Sequence, residues 1–331
     1  MTRSSRGLVP ILALLFVAAV AGGALLGSRP QPAASPLARI ATSVGSILGA
    51  VPTPSSGATI APPDTSGALA GQGSSGASGF PPPGGATASS SCPTPRRAKA
   101  ALTRTVPVLM YHQVGNPKPW SKWPGLYVRT SDFAQQLRAL RVHGWTAITA
   151  ATLGHAMQTG QPVPAKSFVV TIDDGELSAW SNAFPILERN CDRATFYVPA
   201  AFVGTPGHIT LSDLVAIARA GDEIGNHSMN HISLGSPLLT SGMLLVQTLD
   251  AAERLHRDLA SQGVQVPITT FAYPSGRFAA PVVALLQQLG YTLAVTTAHG
   301  WADIGSAQPL LTPRIRVSRG ESAAELLAQL P

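Results

Sequence analysis

Charge is scarce in this chain. Only 12% of its 331 residues are Asp, Glu, Lys or Arg, and runs such as GQGSSGASGF and PPPGGATASSS in the first hundred carry none. The formal net charge is still +7. The basic residues are scattered, and no stripe of Lys and Arg interleaved with aromatics occurs, so nucleic acid is not expected as a partner. Attraction to an anionic envelope surface is the simpler meaning of the excess. Cysteine is nearly absent, with only Cys92 and Cys191. The lack of any CxxC excludes a zinc ribbon or a thioredoxin-like site. In an exported chain these two could pair, if their Cα atoms come within reach. Aromatics are also few, and residues 31–100 hold a single one, Phe80. Such a segment cannot bury enough apolar surface to offset the entropy of ordering, which makes 31–100 a disordered linker.

Before the linker stands an apolar run, LVPILALLFVAAVAGGALLG, at 8–27. It carries no charge and is long enough as a helix to span a hydrocarbon core. Arg3 and Arg6 precede it and orient the N-terminus inward. Residues 1–30 therefore read as a signal peptide or a membrane anchor. The run is long for a signal peptide and no small-x-small site follows, which favours the anchor. Either way, residues 101–331, the folded domain, are expected outside the cytoplasm, membrane-anchored or secreted.

From residue 106 the pattern alternates strand and helix. VPVLMYH (106–112), WTAIT (145–149), SFVVTID (167–173), RATFYVP (193–199), DEIGNH (222–227), ITTFAY (268–273), YTLAVTT (291–297) and RIRV (314–317) read as strands. Helices are expected at 131–144, with Phe133, Leu137 and Leu140 on one face and Ser131 as cap, and at 182–190, 211–220, about 240–262, 281–289 and 321–330. Thr210 and Asp213 resemble a capping box. Repeated βα units imply a parallel sheet, open or closed into a small barrel.

Parallel α/β folds place their sites at the carboxyl ends of strands. Here those ends read Asp173-Asp174-Gly175, His227-Ser-Met-Asn-His231, Tyr273-Pro274-Ser275-Gly276 and Tyr111-His112. His227 and His231 are four apart, so one helical turn or a tight loop can aim both at one ion, and a carboxylate completes a zinc-type set with an open position. Taken alone, HxxxH is also a common surface or core pattern, and Asp-Asp-Gly also makes a plain turn. Two carboxylates after a buried strand nonetheless need partners. A division of labour supplies them, one binding a metal and the other serving as a general base.

The segments Thr171-Ile172-Asp173-Asp174-Gly175, His227-Ser228-Met229-Asn230-His231 and Phe271-Ala272-Tyr273-Pro274-Ser275-Gly276 resemble the first three motifs of the NodB-homology polysaccharide deacetylases, carbohydrate esterase family four. The resemblance extends over about 106–330. It implies a distorted (β/α)7 barrel and metal-dependent removal of acetyl groups from sugar polymers. By position it makes Asp173 the catalytic base and Asp174, His227 and His231 the ligands of one divalent ion, zinc first, with Co2+, Ni2+ or Mn2+ as alternatives. It also makes the Ser275 N–H an oxyanion donor, while Tyr273 and Trp301 are expected to face substrate. Trp301 and Asp303 stand in for the fourth motif, Trp301 either walling the acetyl pocket or packing in the core.

Two departures stand out. Ala272 occupies the place where the commonest third motif has Arg, so nothing there orients Asp173. The strand Arg314-Ile315-Arg316-Val317 lacks the usual fifth-motif His. Both departures resemble the exopolysaccharide N-deacetylase branch, which makes His112 the general acid. The expected protein is a monomeric deacetylase acting on an acetylated polysaccharide, touching the membrane through residues 1–30 if these are retained. The alternatives are an O-acetyl polysaccharide esterase and a non-catalytic carbohydrate-binding protein on the same fold.

Overall fold

The computed structural model describes residues 104–331. The expected N-terminal segment, the linker and Cys92 lie outside the described residues. Cys191 is disulfide-bonded. Among the described residues no helix is long and apolar enough to cross a membrane.

Eight parallel strands carry the fold: β1 (Val108–Tyr111), β2 (Thr146–Ile148), β3 (Ser167–Ile172), β4 (Ala194–Val198), β5 (Glu223–Asn226), β6 (Thr270–Ala272), β7 (Leu293–His299) and β8 (Thr312–Arg316). Seven of them close in the order β1-β8-β7-β6-β5-β4-β3 and back to β1, while β2 pairs only with the start of β3. This is the expected distorted (β/α)7 barrel. A register irregularity between Val295 and His299 adds to the distortion, since that stretch of β7 spans only Thr312 to Arg314 on β8. A bulge of this kind takes a carbonyl out of the ladder.

The helices are α1 (Thr130–Val142), α2 (Ala150–Thr159), α3 (Phe184–Asn190), α4 (Leu211–Ala220), α5 (Ser241–Leu245), α6 (Ala251–Ser261), α7 (Ala280–Gln288) and α8 (Ala323–Ala328). On α1 the side chains of Phe133, Gln136, Leu137 and Leu140 are buried, the expected apolar stripe, and Phe133 meets the Tyr111 ring edge-on. Ser131 is not its cap. The helix begins at Thr130, and its first turn is fastened by the Arg129–Asp132 ion pair. The Thr210–Asp213 capping box on α4 is present.

Helix α2 lies where the sequence reading placed no element. Its signals are Thr149, whose side chain accepts from the Thr152 N–H, and Gly160 in the left-handed region at its end. Gly154 in its middle weakens helix propensity, yet a Cβ there would sit 2.8 Å from the Thr292 hydroxyl. The close approach of α2 to β7 needs a glycine at this position. The long helix expected at 240–262 is two helices, α5 and α6, joined by a π-turn at Val246–Asp250.

Strand alternation sets the barrel interior. Leu109, Tyr111, Phe168, Val170 and Ile172 pack outward beneath the helices. Val108, Val169, Tyr197, Ala272, Leu293 and Val295 form a second cluster with the opposite parity. Gly225 belongs to the crowded interior face, because a Cβ would come 2.5 Å from the Tyr197 ring. Near the amino ends of the strands, Glu223 accepts from the Ala151 N–H and from the hydroxyls of Thr195 and Thr270, tying α2, β4 and β6 together.

Candidate active site

The same alternation, continued one step past each strand, builds the site. His112 follows Val108 and Met110, Asp173 follows Val169 and Thr171, and His227 follows Glu223 and Gly225. All therefore face the barrel axis at its carboxyl mouth, where Arg314 also enters from β8.

Arg314 is 1% exposed. Its Nη1 and Nη2 donate to the two Asp173 carboxylate oxygens at 2.8 and 2.7 Å. Nη1 also donates to Thr171 Oγ1, and Nε donates to the Thr296 carbonyl at 2.8 Å, in the bulged stretch of β7. Burial pushes the Asp173 carboxyl up, and the Arg314 charge and hydrogen bonds outweigh it, holding the group below its ordinary value. Ala272 on β6 stands where an orienting partner for Asp173 was expected and supplies none. The partner comes from β8, in the segment noted only for its missing His. A usable signal was present, an arginine inside a strand of an otherwise closed barrel.

Asp174 takes the other role. It sits at φ 74° and Gly175 at φ 62°, a turn that swings the second carboxylate away from the first. Asp174 Oδ1 lies 3.3 Å from His227 Nε2 and 3.2 Å from His231 Nε2. Burial raises the Asp174 carboxyl, and the two histidine hydrogen bonds reverse this and hold it well below the ordinary carboxylate range. The Asp174 contact raises His231 above its ordinary value.

The histidine pair is carried by a tight loop, not a helical turn. Ser228 and His231 both have positive φ, the Ser228 hydroxyl accepts from the His231 N–H, and Gln247 on the π-turn accepts from the N–H groups of Met229 and Asn230. This gives the π-turn a reason, as such irregularities recur beside functional sites.

Donor atoms of Asp174, His227 and His231 all lie within 4.8 Å of one another. His227 Nδ1 lies 2.8 Å from the Ala272 carbonyl. With an ion bound, donation of the Nδ1 proton to that carbonyl would fix the tautomer and leave the Nε2 lone pair for the metal, the usual support behind a metal-ligating histidine. Two imidazoles and one carboxylate with an open side fit a zinc-type ion.

His112 Nε2 is 4.0 Å from Asp173 Oδ2, and the side chain is 13% exposed. Burial lowers its basicity and the two aspartates partly restore it. Ser275 has φ 56° in the exposed turn after β6, and its N–H has no acceptor among the described residues. Gly276 beside it is forced, since a Cβ would overlap the Thr297 side chain.

Two expected substrate contacts are placed differently. Tyr273 is fully buried, its hydroxyl donates to the Leu310 carbonyl, and Phe271 and Phe278 flank its ring, so it is a core side chain. Trp301 is 42% exposed, and its indole N–H donates to the Gln329 carbonyl just past α8, which removes the core alternative for it. Asp303 folds back onto the Gly305 N–H in a local turn.

A closed parallel barrel thus holds a buried, arginine-paired carboxylate beside an Asp-His-His cluster at its carboxyl mouth. Residues 160–294 match the polysaccharide deacetylase family model. The chain is 25% identical over 219 residues to YxkH of Bacillus subtilis (strain 168), whose name assigns it provisionally to the polysaccharide deacetylases, covering 66% of this chain and 74% of that protein. It is also 25% identical over 240 residues to the poly-beta-1,6-N-acetyl-D-glucosamine N-deacetylase of Escherichia coli (strain K12), covering 61% of this chain but 35% of that enzyme. Among solved structures, the Streptococcus pyogenes deacetylase PplD superimposes with a TM-score of 0.63 at 25% identity, over 69% of this chain and 98% of its own. IcaB from Ammonifex degensii shares the fold, with a TM-score of 0.58 at 24% identity over 69% and 97%. Over residues 160–294 the chain is thus similar to the polysaccharide deacetylases, a class of hydrolases.

Proposed function

We propose that the protein removes N-acetyl groups from an acetylated, cell-surface or cell-wall polysaccharide outside the cytoplasm, with zinc held by Asp174, His227 and His231. The observation that carries the reading is the unequal treatment of two adjacent aspartates. Asp174 converges with two histidines, while Asp173 is kept anionic by Arg314 and apart from that cluster. A mere sugar-binding protein has no use for an ionised carboxylate held beside a metal site but outside its ligand set.

When bound, the ion supplies Lewis acidity, acidifying water and polarising the acetyl carbonyl. Asp173 accepts the proton of the attacking water. The Ser275 N–H donates to the oxygen that gains charge as the carbonyl carbon becomes tetrahedral. His112 donates a proton to the departing nitrogen, so that the C–N bond breaks to give acetate and a free amino sugar. Trp301, at the mouth after β7, offers an apolar edge to the substrate.

Acetate release from a panel of N- and O-acetylated glycans, with and without chelator, tests this. Chelator-sensitive release from N-acetylated members is expected. Release from O-acetylated members alone turns the reading to an esterase, and no release from any member turns it to a binding protein. A reporter fused after residue 331 that is active only in the cytoplasm should stay dark, and a bright signal refutes export.

A further inference from the structure

Beside the metal cluster lies an open cleft of about 440 Å³, lined by Ser233, Gly235, Ser236, Gly276, Arg277 and Phe278. Its volume falls in the range of small-ligand clefts. Both walls are direct continuations of the site. One begins two residues after His231, the other immediately after Ser275, and a β-bridge between Leu234 and Phe278 ties them together. Gly235 keeps the walls close, since a Cβ there would touch the Arg277 Cβ at 3.4 Å.

The lining is that of a sugar subsite with one added feature. Phe278 is half-buried with its ring against Tyr273 at 4.6 Å, giving a fixed apolar face of the kind on which pyranose C–H groups pack. Ser233 and Ser236 supply hydroxyls. Arg277, however, is exposed and has no carboxylate partner among the described residues. A guanidinium presents a planar fork of donors that pairs most strongly with carboxylate or phosphate oxygens, whereas a neutral polymer offers it only uncharged oxygen acceptors. A second arginine without an acidic partner, Arg316, shares the interior face of β8 with Arg314 but lies one step nearer the mouth and is exposed.

We propose that this cleft is a subsite for a negatively charged sugar residue adjoining the acetylated one, with Arg277 as the residue that selects it. The substrate is then an acidic heteropolysaccharide, its anion a uronate carboxylate or a bridging phosphate. This rests on the deacetylase reading for its biological meaning, but not for its binding test.

The full-length, zinc-loaded protein is assayed for acetate release from three soluble oligosaccharides. The first is a neutral N-acetylglucosamine tetramer, the second alternates N-acetylglucosamine with glucuronate, and the third joins N-acetylglucosamine units through phosphodiesters. A higher kcat/KM on at least one acidic oligomer is expected. Arg277→Ala should cut the acidic-over-neutral ratio about tenfold, through KM, and Arg277→Lys should restore part of it, since the charge returns without the fork. The uronate and phosphate arms identify the source of the anion. Calorimetric Kd values for the same oligomers, with wild type and Arg277→Ala, are read in parallel. If no oligomer is deacetylated but Arg277→Ala still weakens acidic binding about tenfold, the subsite stands and the deacetylase reading falls. Equal or better use of the neutral tetramer by wild type, or an acidic-over-neutral ratio and Kd unmoved by Arg277→Ala, overturns the proposal.

Discussion

Replacing Arg314 by Met leaves the Asp173 carboxylate, 2% exposed, with neither of its two charge-assisted bonds. Breaking a buried pair in this way costs about 3–5 kcal/mol. That is a large share of the roughly 5–15 kcal/mol that holds a domain together. For a domain of this size it lowers Tm by about 6–20 °C, at roughly 2–4 °C per kcal/mol. Asp173→Asn is costly for the mirror-image reason, because Arg314 stays charged at any accessible pH and is left unpaired. The double variant buries no lone charge, so its loss should fall well short of the sum of the singles, with a coupling of at least about 2 kcal/mol. Urea melts of the four proteins, metal-loaded and at pH 7, measure this cycle. The two partners also differ in pH response. Asp173 without its arginine can take up a proton, so the Arg314→Met deficit should shrink as pH falls from 7 towards about 4, a window in which the Asp173→Asn deficit stays level because the wild-type carboxyl, held below its ordinary value, remains ionised. An Arg314→Met protein within about 1 kcal/mol of wild type, or singles that add to within about 0.5 kcal/mol, would show that the pair does not hold the site together.

Other outcomes follow from the same geometry. Purified protein should carry about one divalent ion per chain, lost in His227→Ala, and stoichiometric metal persisting in the Asp174→Ala, His227→Ala and His231→Ala proteins alike removes the ligand assignment. His112→Ala should slow acetate release about 10²–10⁴-fold on N-acetyl substrates and less on O-acetyl ones, because only the amine must be protonated to leave. Full N-deacetylase activity in that variant would return His112 to a structural role. Burial raises Asp222 from 3.8 to about 7, against the Ala194 N–H that it accepts, so the folded state holds a proton that the unfolded state releases. Stability should therefore fall as pH rises from about 4 to 7, by at most about 4 kcal/mol, and Asp222→Asn should flatten the slope. An unchanged slope in urea melts across that range refutes the assignment.

What was legible in the sequence was whatever alternation and chain-local chemistry determine. The βα rhythm gave a parallel sheet and the family resemblance its closure, and strand parity places Asp173 and His227 on the interior face, whereas Asp174 and His231 depend on the positive-φ turns that follow the strands. Helix α2 was hidden by its composition, since the glycine required for its approach to β7 imitates a loop. Tyr273 was misjudged because its position at a strand end suggests exposure, while Phe271, Phe278 and the Leu310 carbonyl enclose it from other parts of the chain. Arg314 was missed for a deeper reason. Its partner is 141 residues away, and neither strand adjacency nor spacing reveals the meeting. Only closure of the ring, with β8 beside β1 and β1 beside β3, brings β8 to the carboxylate on β3.

That closure also explains how Ala272 is tolerated although it gives Asp173 no partner from β6. What Asp173 requires is two N–H donors on its carboxylate, and the identity of the strand supplying them is immaterial. β6 and β8 are both neighbours of β7, and both present interior-facing side chains. Ala272 is fully buried among interior side chains, so a guanidinium introduced there has no route outward. Ala272→Arg alone should therefore crowd a second cation against Arg314 and destabilise the domain, because an unpaired buried charge has no solvent to compensate it. Joined with Arg314→Ala, the same change frees interior volume on β8 and returns a guanidinium to the carboxylate from β6. The double variant should recover both melting temperature and acetate release relative to Arg314→Ala. The measurements are a urea melt and the rate on an N-acetylated oligosaccharide. A double variant no more stable and no more active than Arg314→Ala would mean that the position of Arg314, with its bonds to Thr171 and the Thr296 carbonyl, matters beyond the charge it places on Asp173.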